Sequence, residues 1–73
     1  MTPEELPKKL GEKIKSLRKA KKLSTRELAF ASGLEKSNLV RIEAGRSCPS
    51  PKTLLKIADG LELKLKDIFD FKY

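Results

Sequence analysis

The chain has 73 residues with a formal net charge of +7, which allows one small basic domain with a modest core. A lone cysteine, Cys48, excludes an internal disulfide, and the absence of histidine excludes a zinc site of the usual kind. No apolar run reaches the ~20 residues of a membrane span, and residues 1–10 lack the apolar core of a secretory signal. We therefore expect a cytoplasmic protein with no metal, no cofactor and no membrane contact.

The positive charge is concentrated in the first two thirds of the chain. Residues 8–46 hold twelve of the 17 Lys and Arg residues but four of the ten acidic ones. Such a field attracts a polyanion, because phosphates that are neutralised release their condensed counterions. A lysine-rich surface that faces only solvent is the alternative, and charge alone does not decide between them.

The first predicted helix runs from about Pro7 to Lys21. A Pro7 inside a longer helix would remove a hydrogen bond, so the Thr-Pro-Glu-Glu motif at residues 2–5 predicts a separate or frayed turn. The buried face of the helix is predicted from apolar residues at helical spacing, namely Leu10, Ile14 and Leu17.

The second predicted helix has signals at both ends. Ser24 and Glu27 have the spacing of a capping box, and Leu23 and Leu28 have that of a hydrophobic staple. Gly33 supplies the left-handed residue that ends the helix. A third helix is predicted to begin near Glu35 and to end at Gly45. Helices joined by about three residues cross steeply, which predicts a helix-turn-helix.

The fourth helix is predicted to begin at Ser50, a good cap followed by a proline, and to close at Gly60. Its predicted apolar face consists of Leu54, Leu55, Ile57, Ala58 and Leu61. A short fifth helix, roughly Leu65–Phe69, is expected to add Leu65, Ile68 and Phe69 to the core.

The sequence therefore predicts an all-α fold, a compact five-helix bundle. Residues 1–9 form an N-terminal extension and the start of the first helix. Residues 10–69 form one domain, with the helix-turn-helix at about 24–44, and residues 70–73 form a tail.

Six pieces, in order along residues 10–69, give the chain a resemblance to the Cro and phage-repressor type of helix-turn-helix regulator, the XRE family. They are the segments 10–18, 23–29, 32–34, 39–46, 49–58 and 67–69, including Leu-Ser-Thr-Arg-Glu-Leu-Ala, Ser-Gly-Leu and Arg-Ile-Glu-Ala-Gly-Arg. The chain departs from the family pattern at three positions: Thr25, Glu35 and Lys64. The resemblance implies a compact bundle of the phage-repressor DNA-binding type that docks its third helix in the major groove.

The same resemblance implies roles for individual residues. The residues of the third helix that it implies as base contacts are Lys36, Ser37, Val40 and Arg41. The alternative is that these side chains are simply exposed to solvent. Phosphate contacts fall to Ser24, Thr25, Arg26, Asn38 and Arg46. Members of the family often pair an arginine of the first helix with a glutamate of the third, which here implies a partly buried ion pair between Arg18 and Glu43.

The C-terminal segment is unusually apolar for so small a bundle, and its residues cannot all face one core. Compact members of the family often dimerise through this region, which implies an interface formed by Leu63, Leu65, Phe69 and Phe71, with Tyr73 also in the apolar set. Two copies would then present their third helices roughly 34 Å apart to a palindromic operator.

The function predicted from the sequence is a sequence-specific regulator of transcription on double-stranded DNA, acting as a repressor or controller, without a small-molecule ligand. Three settings stay open: control of a restriction–modification system (slightly favoured by compactness), prophage repression and the antitoxin half of a toxin pair. The alternative class is a protein-interaction module with the same fold. An enzyme is not expected, because the chain has no histidine, metal cluster or Gly-rich phosphate loop.

Overall fold

A computed structural model describes residues 1–71; Lys72 and Tyr73 lie outside the described residues, and with them Tyr73's predicted place in the apolar set. The structure has five helices: α1 (Leu6–Ala20), α2 (Thr25–Ser32), α3 (Lys36–Glu43), α4 (Pro51–Gly60) and α5 (Leu65–Ile68). Within residues 1–71 there is no strand, so the all-α prediction is confirmed. No helix in that range is long and apolar enough to cross a membrane.

One apolar core holds the five helices together. α1 packs against α3 and α5, α2 packs against α3 and α4, and α4 packs against α5. Each helix contributes to the buried set, which consists of Leu10, Ile14, Leu28, Ala29, Leu39, Ile42, Leu54, Ile57, Ala58, Leu61 and Ile68. Because every helix is short, packing of these apolar faces rather than helix propensity stabilises the bundle.

The N-terminus forms a turn before α1, as the position of Pro7 predicts. The backbone N–H of Glu5 donates to the Thr2 carbonyl at 3.0 Å, and α1 then begins at Leu6. Pro7 lies in the first turn of α1, where a missing N–H removes no helical hydrogen bond.

The capping box of α2 is present. The Ser24 hydroxyl accepts from the Glu27 N–H at 3.0 Å, and the Glu27 carboxylate accepts from the Ser24 N–H at 2.8 Å. The hydrogen bond from the Ser24 backbone, followed by that from its side chain, lowers the pKa of Glu27 from its ordinary value of 4.5. Ser50 caps α4 in the same way, accepting from the Thr53 N–H at 3.2 Å.

The predicted end of α4 at Gly60 is confirmed. Gly60 is the last residue of α4, and the left-handed residue after the helix is Glu62, with φ of 59°. Gly60 instead lies against α2, where a Cβ atom would collide with the Ser32 side chain. The glycine is there for close helix approach, and a less suitable residue takes the left-handed position.

Two predicted core residues are wrong. Leu55 of α4 is 50% exposed and Leu65 of α5 is 37% exposed, so the rest of the bundle covers neither side chain fully. α5 also ends one residue early, at Ile68, and Phe69 packs partly buried against the core. Leu55 and Leu65 thus leave apolar surface on the outside of the bundle.

Candidate nucleic-acid interface

The turn between α2 and α3 is fixed by local hydrogen bonds. Gly33 has φ of 70°, and the N–H of Leu34 donates back to the Ala29 carbonyl at 2.8 Å. Leu34 also packs against the core. This combination is the Schellman ending of a helix, and it sets the direction in which the chain enters α3.

α3 has one buried and one exposed face. Leu39 and Ile42 are buried. Glu35 occupies the N-cap position before the helix, and its side chain makes no capping hydrogen bond. The structure places all the predicted base-contact residues on the surface: Lys36, Ser37, Val40 and Arg41. Within residues 1–71 none of their side chains makes a hydrogen bond or an ion pair, so the donors of Lys36, Ser37 and Arg41 are available to a ligand.

The exposed face of α3 has polar hydrogen-bonding side chains beside an apolar one. Arg41 and Ser37 line a shallow open depression together with Asn38 and the residues of the preceding turn. Val40 is 47% exposed and lies toward a second depression, on the α1 side. An arginine can donate two parallel hydrogen bonds to guanine, and a valine can contact a thymine methyl group.

Arg18 and Glu43 meet beneath this face as a two-point ion pair. The Arg18 Nε donates to one carboxylate oxygen of Glu43 at 2.8 Å, and an Arg18 terminal nitrogen donates to the other at 3.1 Å. The remaining terminal nitrogen donates to the Leu23 carbonyl at 2.8 Å. The side chains are only 10% and 8% exposed. One arginine of α1 thereby ties the end of α3 to the segment that leads into α2.

The five predicted phosphate-contact residues occupy three places. Ser24, Thr25 and Arg26 lie at the start of α2, where the N–H groups of Thr25 and Arg26 have no acceptor within the described residues. Asn38 is half-buried on α3, and Arg46 is exposed in the loop beyond α3. The Glu27 carboxylate lies near the same end of α2, so the local field there is not purely positive.

The structure adds two residues that the sequence prediction missed, Lys15 and Ala44. Both line the second depression, in which they accompany Thr25 and Val40. Ala44 is the C-cap of α3 and lies four residues after Val40, and this spacing was the signal for it. Lys15 carried no comparable signal, because nothing in the sequence distinguishes it from the other lysines of α1.

Comparison with known proteins tests the resemblance. The helix-turn-helix family profile HTH_3 matches residues 14–68, three quarters of the chain. The chain belongs to this family of DNA-binding transcription regulators. Membership assigns it to regulators and not to enzymes.

Two curated relatives show how far the likeness extends. The ImmF control region 10 kDa protein of Bacillus phage phi105 is 48% identical over 58 residues, which are 80% of this chain and 64% of that protein. The HTH-type transcriptional repressor RghR of Bacillus subtilis is 39% identical over 54 residues, 73% of this chain and 40% of RghR. The chain thus spans between two fifths and two thirds of the length of these relatives.

Solved structures confirm the five-helix architecture. The restriction–modification controller protein C.AhdI of Aeromonas hydrophila is 36% identical with a TM-score of 0.84, and the match covers 86% of this chain and 96% of C.AhdI. An HTH_3 family transcriptional regulator of Vibrio cholerae is 37% identical with a TM-score of 0.89, covering 93% of this chain and 38% of the regulator. The similarity to C.AhdI covers nearly all of that protein, whereas the Vibrio chain contains much more than this domain.

Proposed function

We propose that the protein is a repressor that binds a palindromic DNA operator as a homodimer and reads its bases with α3. The exposed face of α3 carries this proposal. Four side chains there have no partner within residues 1–71, while the buried face is fixed by Leu39, Ile42 and the Arg18–Glu43 pair. A rigid helix with free donors is suited to reading base edges in the major groove.

Specificity and sequence-independent affinity come from two different groups of residues. Lys36, Ser37, Val40 and Arg41 select the bases, whereas Ser24, Thr25, Arg26, Asn38 and Arg46 hold the phosphates and set the register. Phosphate contacts contribute affinity on any sequence, and base contacts discriminate among sequences. Such a regulator acts in the cytoplasm, beside the DNA that it binds, and needs no cofactor or small-molecule ligand.

The homodimer in this proposal forms through the C-terminal segment. Leu65 is partly exposed on α5, and Leu63, Phe69 and Phe71 lie partly buried around the core near it. Phe69 also lines an open depression with Lys66, Asp67 and Asp70, so the segment has both an apolar centre and a polar rim. This composition is typical of protein–protein interfaces.

The experiment that tests the proposal is selection of bound sequences from a random duplex pool at about physiological salt, where nonspecific binding is weakened. Enrichment of a two-fold symmetric motif, with half-sites one helical turn apart, supports a dimeric, sequence-specific regulator. If no sequence motif is enriched, the alternative is favoured in which the protein is an interaction module and the exposed face of α3 binds a protein partner.

The biological setting follows from the genes adjacent to that motif. The similar proteins include a phage control-region protein and a restriction–modification controller. In both settings we expect a small repressor or controller that binds near its own promoter. Operators beside a modification gene would indicate a restriction–modification controller. Operators beside phage genes would indicate a prophage repressor.

A further inference from the structure

The DNA-facing surface extends beyond the helix-turn-helix onto α1. The depression between α1, α2 and α3 is lined by Thr25 and Val40, which belong to the proposed phosphate and base contacts, and also by Lys15. Lys15 lies in the middle of α1, outside the α2–turn–α3 unit. The packing of α1 against α3 therefore brings a lysine of α1 to the edge of the proposed interface.

The ammonium group of Lys15 has no hydrogen-bond or ion-pair partner within the described part of the chain. Its side chain is exposed and makes no hydrogen bond or ion pair there. The one carboxylate in the depression, that of Glu43, is already held at two points by Arg18. Lys15 is thus an unpaired positive charge beside a neutralised pair.

From this placement we infer that Lys15 binds a DNA phosphate and extends the phosphate-contact surface from the start of α2 onto α1. The inference rests on the proposed function, since it assumes that duplex DNA lies across Thr25 and Val40. A lysine acts here as a flexible point charge. It therefore contributes to affinity on every sequence and adds a counterion-release term to the salt dependence.

Lys15→Ala tests the inference, with Lys56→Ala as the matched control. Lys56 is an exposed lysine of α4, a helix that packs mainly on α2 and α5. Dissociation constants are measured over a salt series, on a duplex carrying the selected motif and on a duplex of permuted sequence. Both lysines are exposed, so circular dichroism is expected to show an unchanged fold for each variant.

The expected result for Lys15→Ala is binding about three- to tenfold weaker on both duplexes, with a salt slope shallower by about one. Lys15→Arg keeps the charge and restores most of the affinity, and Lys56→Ala leaves both quantities near wild type.

Two results would overturn the inference while the proposed function stands. One is wild-type affinity and slope for Lys15→Ala, and the other is a loss confined to the selected motif, which would indicate base contact. If the wild-type protein itself binds neither duplex, the proposed function fails first, and the inference fails with it.

Discussion

At the scale of single residues, the most constrained side chain is the guanidinium of Arg18. The Arg18 side chain is only 10% exposed, and all its hydrogen bonds go to Glu43 and to the Leu23 carbonyl. A buried charge is tolerated only where its donors are satisfied. The pair therefore orients α3 more than it adds net stability, because desolvation of both groups offsets much of their attraction.

Removing the acid of this pair leaves the arginine buried without a partner. We expect Glu43→Ala to lower the free energy of unfolding by about 3 kcal/mol and to weaken DNA binding, because the end of α3 loses its attachment to α1. Urea denaturation and DNA titration measure the two effects.

Asp59→Ala is the matched control for Glu43→Ala, since Asp59 is an exposed acid of α4 whose side chain makes no hydrogen bond or ion pair within residues 1–71. Its expected effect on unfolding is within about 0.5 kcal/mol. If Glu43→Ala behaved like this control in both assays, the bracing role of the pair would be refuted.

Capping at this scale was well predicted from sequence, because a cap is a local hydrogen bond. The Ser24–Glu27 box and the Ser50 cap are both present. By contrast, Leu55 and Leu65 were misplaced, since a helical pattern gives the direction of a side chain but not whether a neighbouring helix covers it. Lys15 was missed for the same reason, because its significance comes from contacts between helices.

At the scale of helices, the ends of α1 and α4 show what a pattern cannot specify. Both are followed by a left-handed residue that is not glycine, Lys22 and Glu62, each with φ of 59°. The sequence predicts that α4 closes at Gly60, and the helix does end there. The structure uses Gly60 for the contact between α2 and α4, which depends on the distance between two helices far apart in sequence.

The contact between Gly60 and Ser32 gives a prediction at this scale. Ser32 is buried, and its hydroxyl has no hydrogen-bond partner among the described residues. Gly60→Ala pushes a methyl group into that hydroxyl, so we expect a loss of about 1–3 kcal/mol in the free energy of unfolding. Ser32→Ala alone removes an unsatisfied group and is expected to be neutral or slightly stabilising.

The double variant, Ser32→Ala with Gly60→Ala, completes a double-mutant cycle and decides the prediction. In the Ser32→Ala background, Gly60→Ala is expected to cost at least about 1 kcal/mol less than in the wild type, because the obstructing oxygen is gone. Thermal denaturation of the four proteins measures the coupling. Equal costs in both backgrounds would show that the Ser32 hydroxyl is not what limits position 60, and would leave the α2 backbone as the limiting contact.

At the scale of the whole molecule, the architecture was predictable because six motifs in fixed order specify it together, and the helix-turn-helix spacing is short enough to be read locally. The proposed DNA-facing surface was predictable only in outline. The helical spacing of its apolar residues predicted which face of α3 is exposed, but the proposed extension onto α1 depends on how α1 packs against α3.

The proposed dimer gives a prediction of assembly. We expect Leu65→Glu to shift the protein to monomer, because it places a charge in the apolar centre of the interface, and to weaken binding to a full palindrome far more than to a half-site. Sedimentation over a concentration series measures the mass.

Phe30→Glu is the control for assembly, since Phe30 is 89% exposed on α2, a helix that packs mainly on α3 and α4. This variant is expected to remain dimeric. A wild-type protein that is monomeric at every concentration would contradict the proposed interface, as would a Leu65→Glu dimer of unchanged strength.

The central claim, that α3 reads base edges, is tested most directly by Arg41→Ala on the selected operator and on operators changed at one base pair at a time. The account predicts a loss of about 1–3 kcal/mol on the selected operator and a loss of preference at one base position, while the other positions keep theirs. An equal loss on every operator, with preferences unchanged, would make Arg41 a phosphate contact. It would contradict the assignment of base reading to the exposed face of α3.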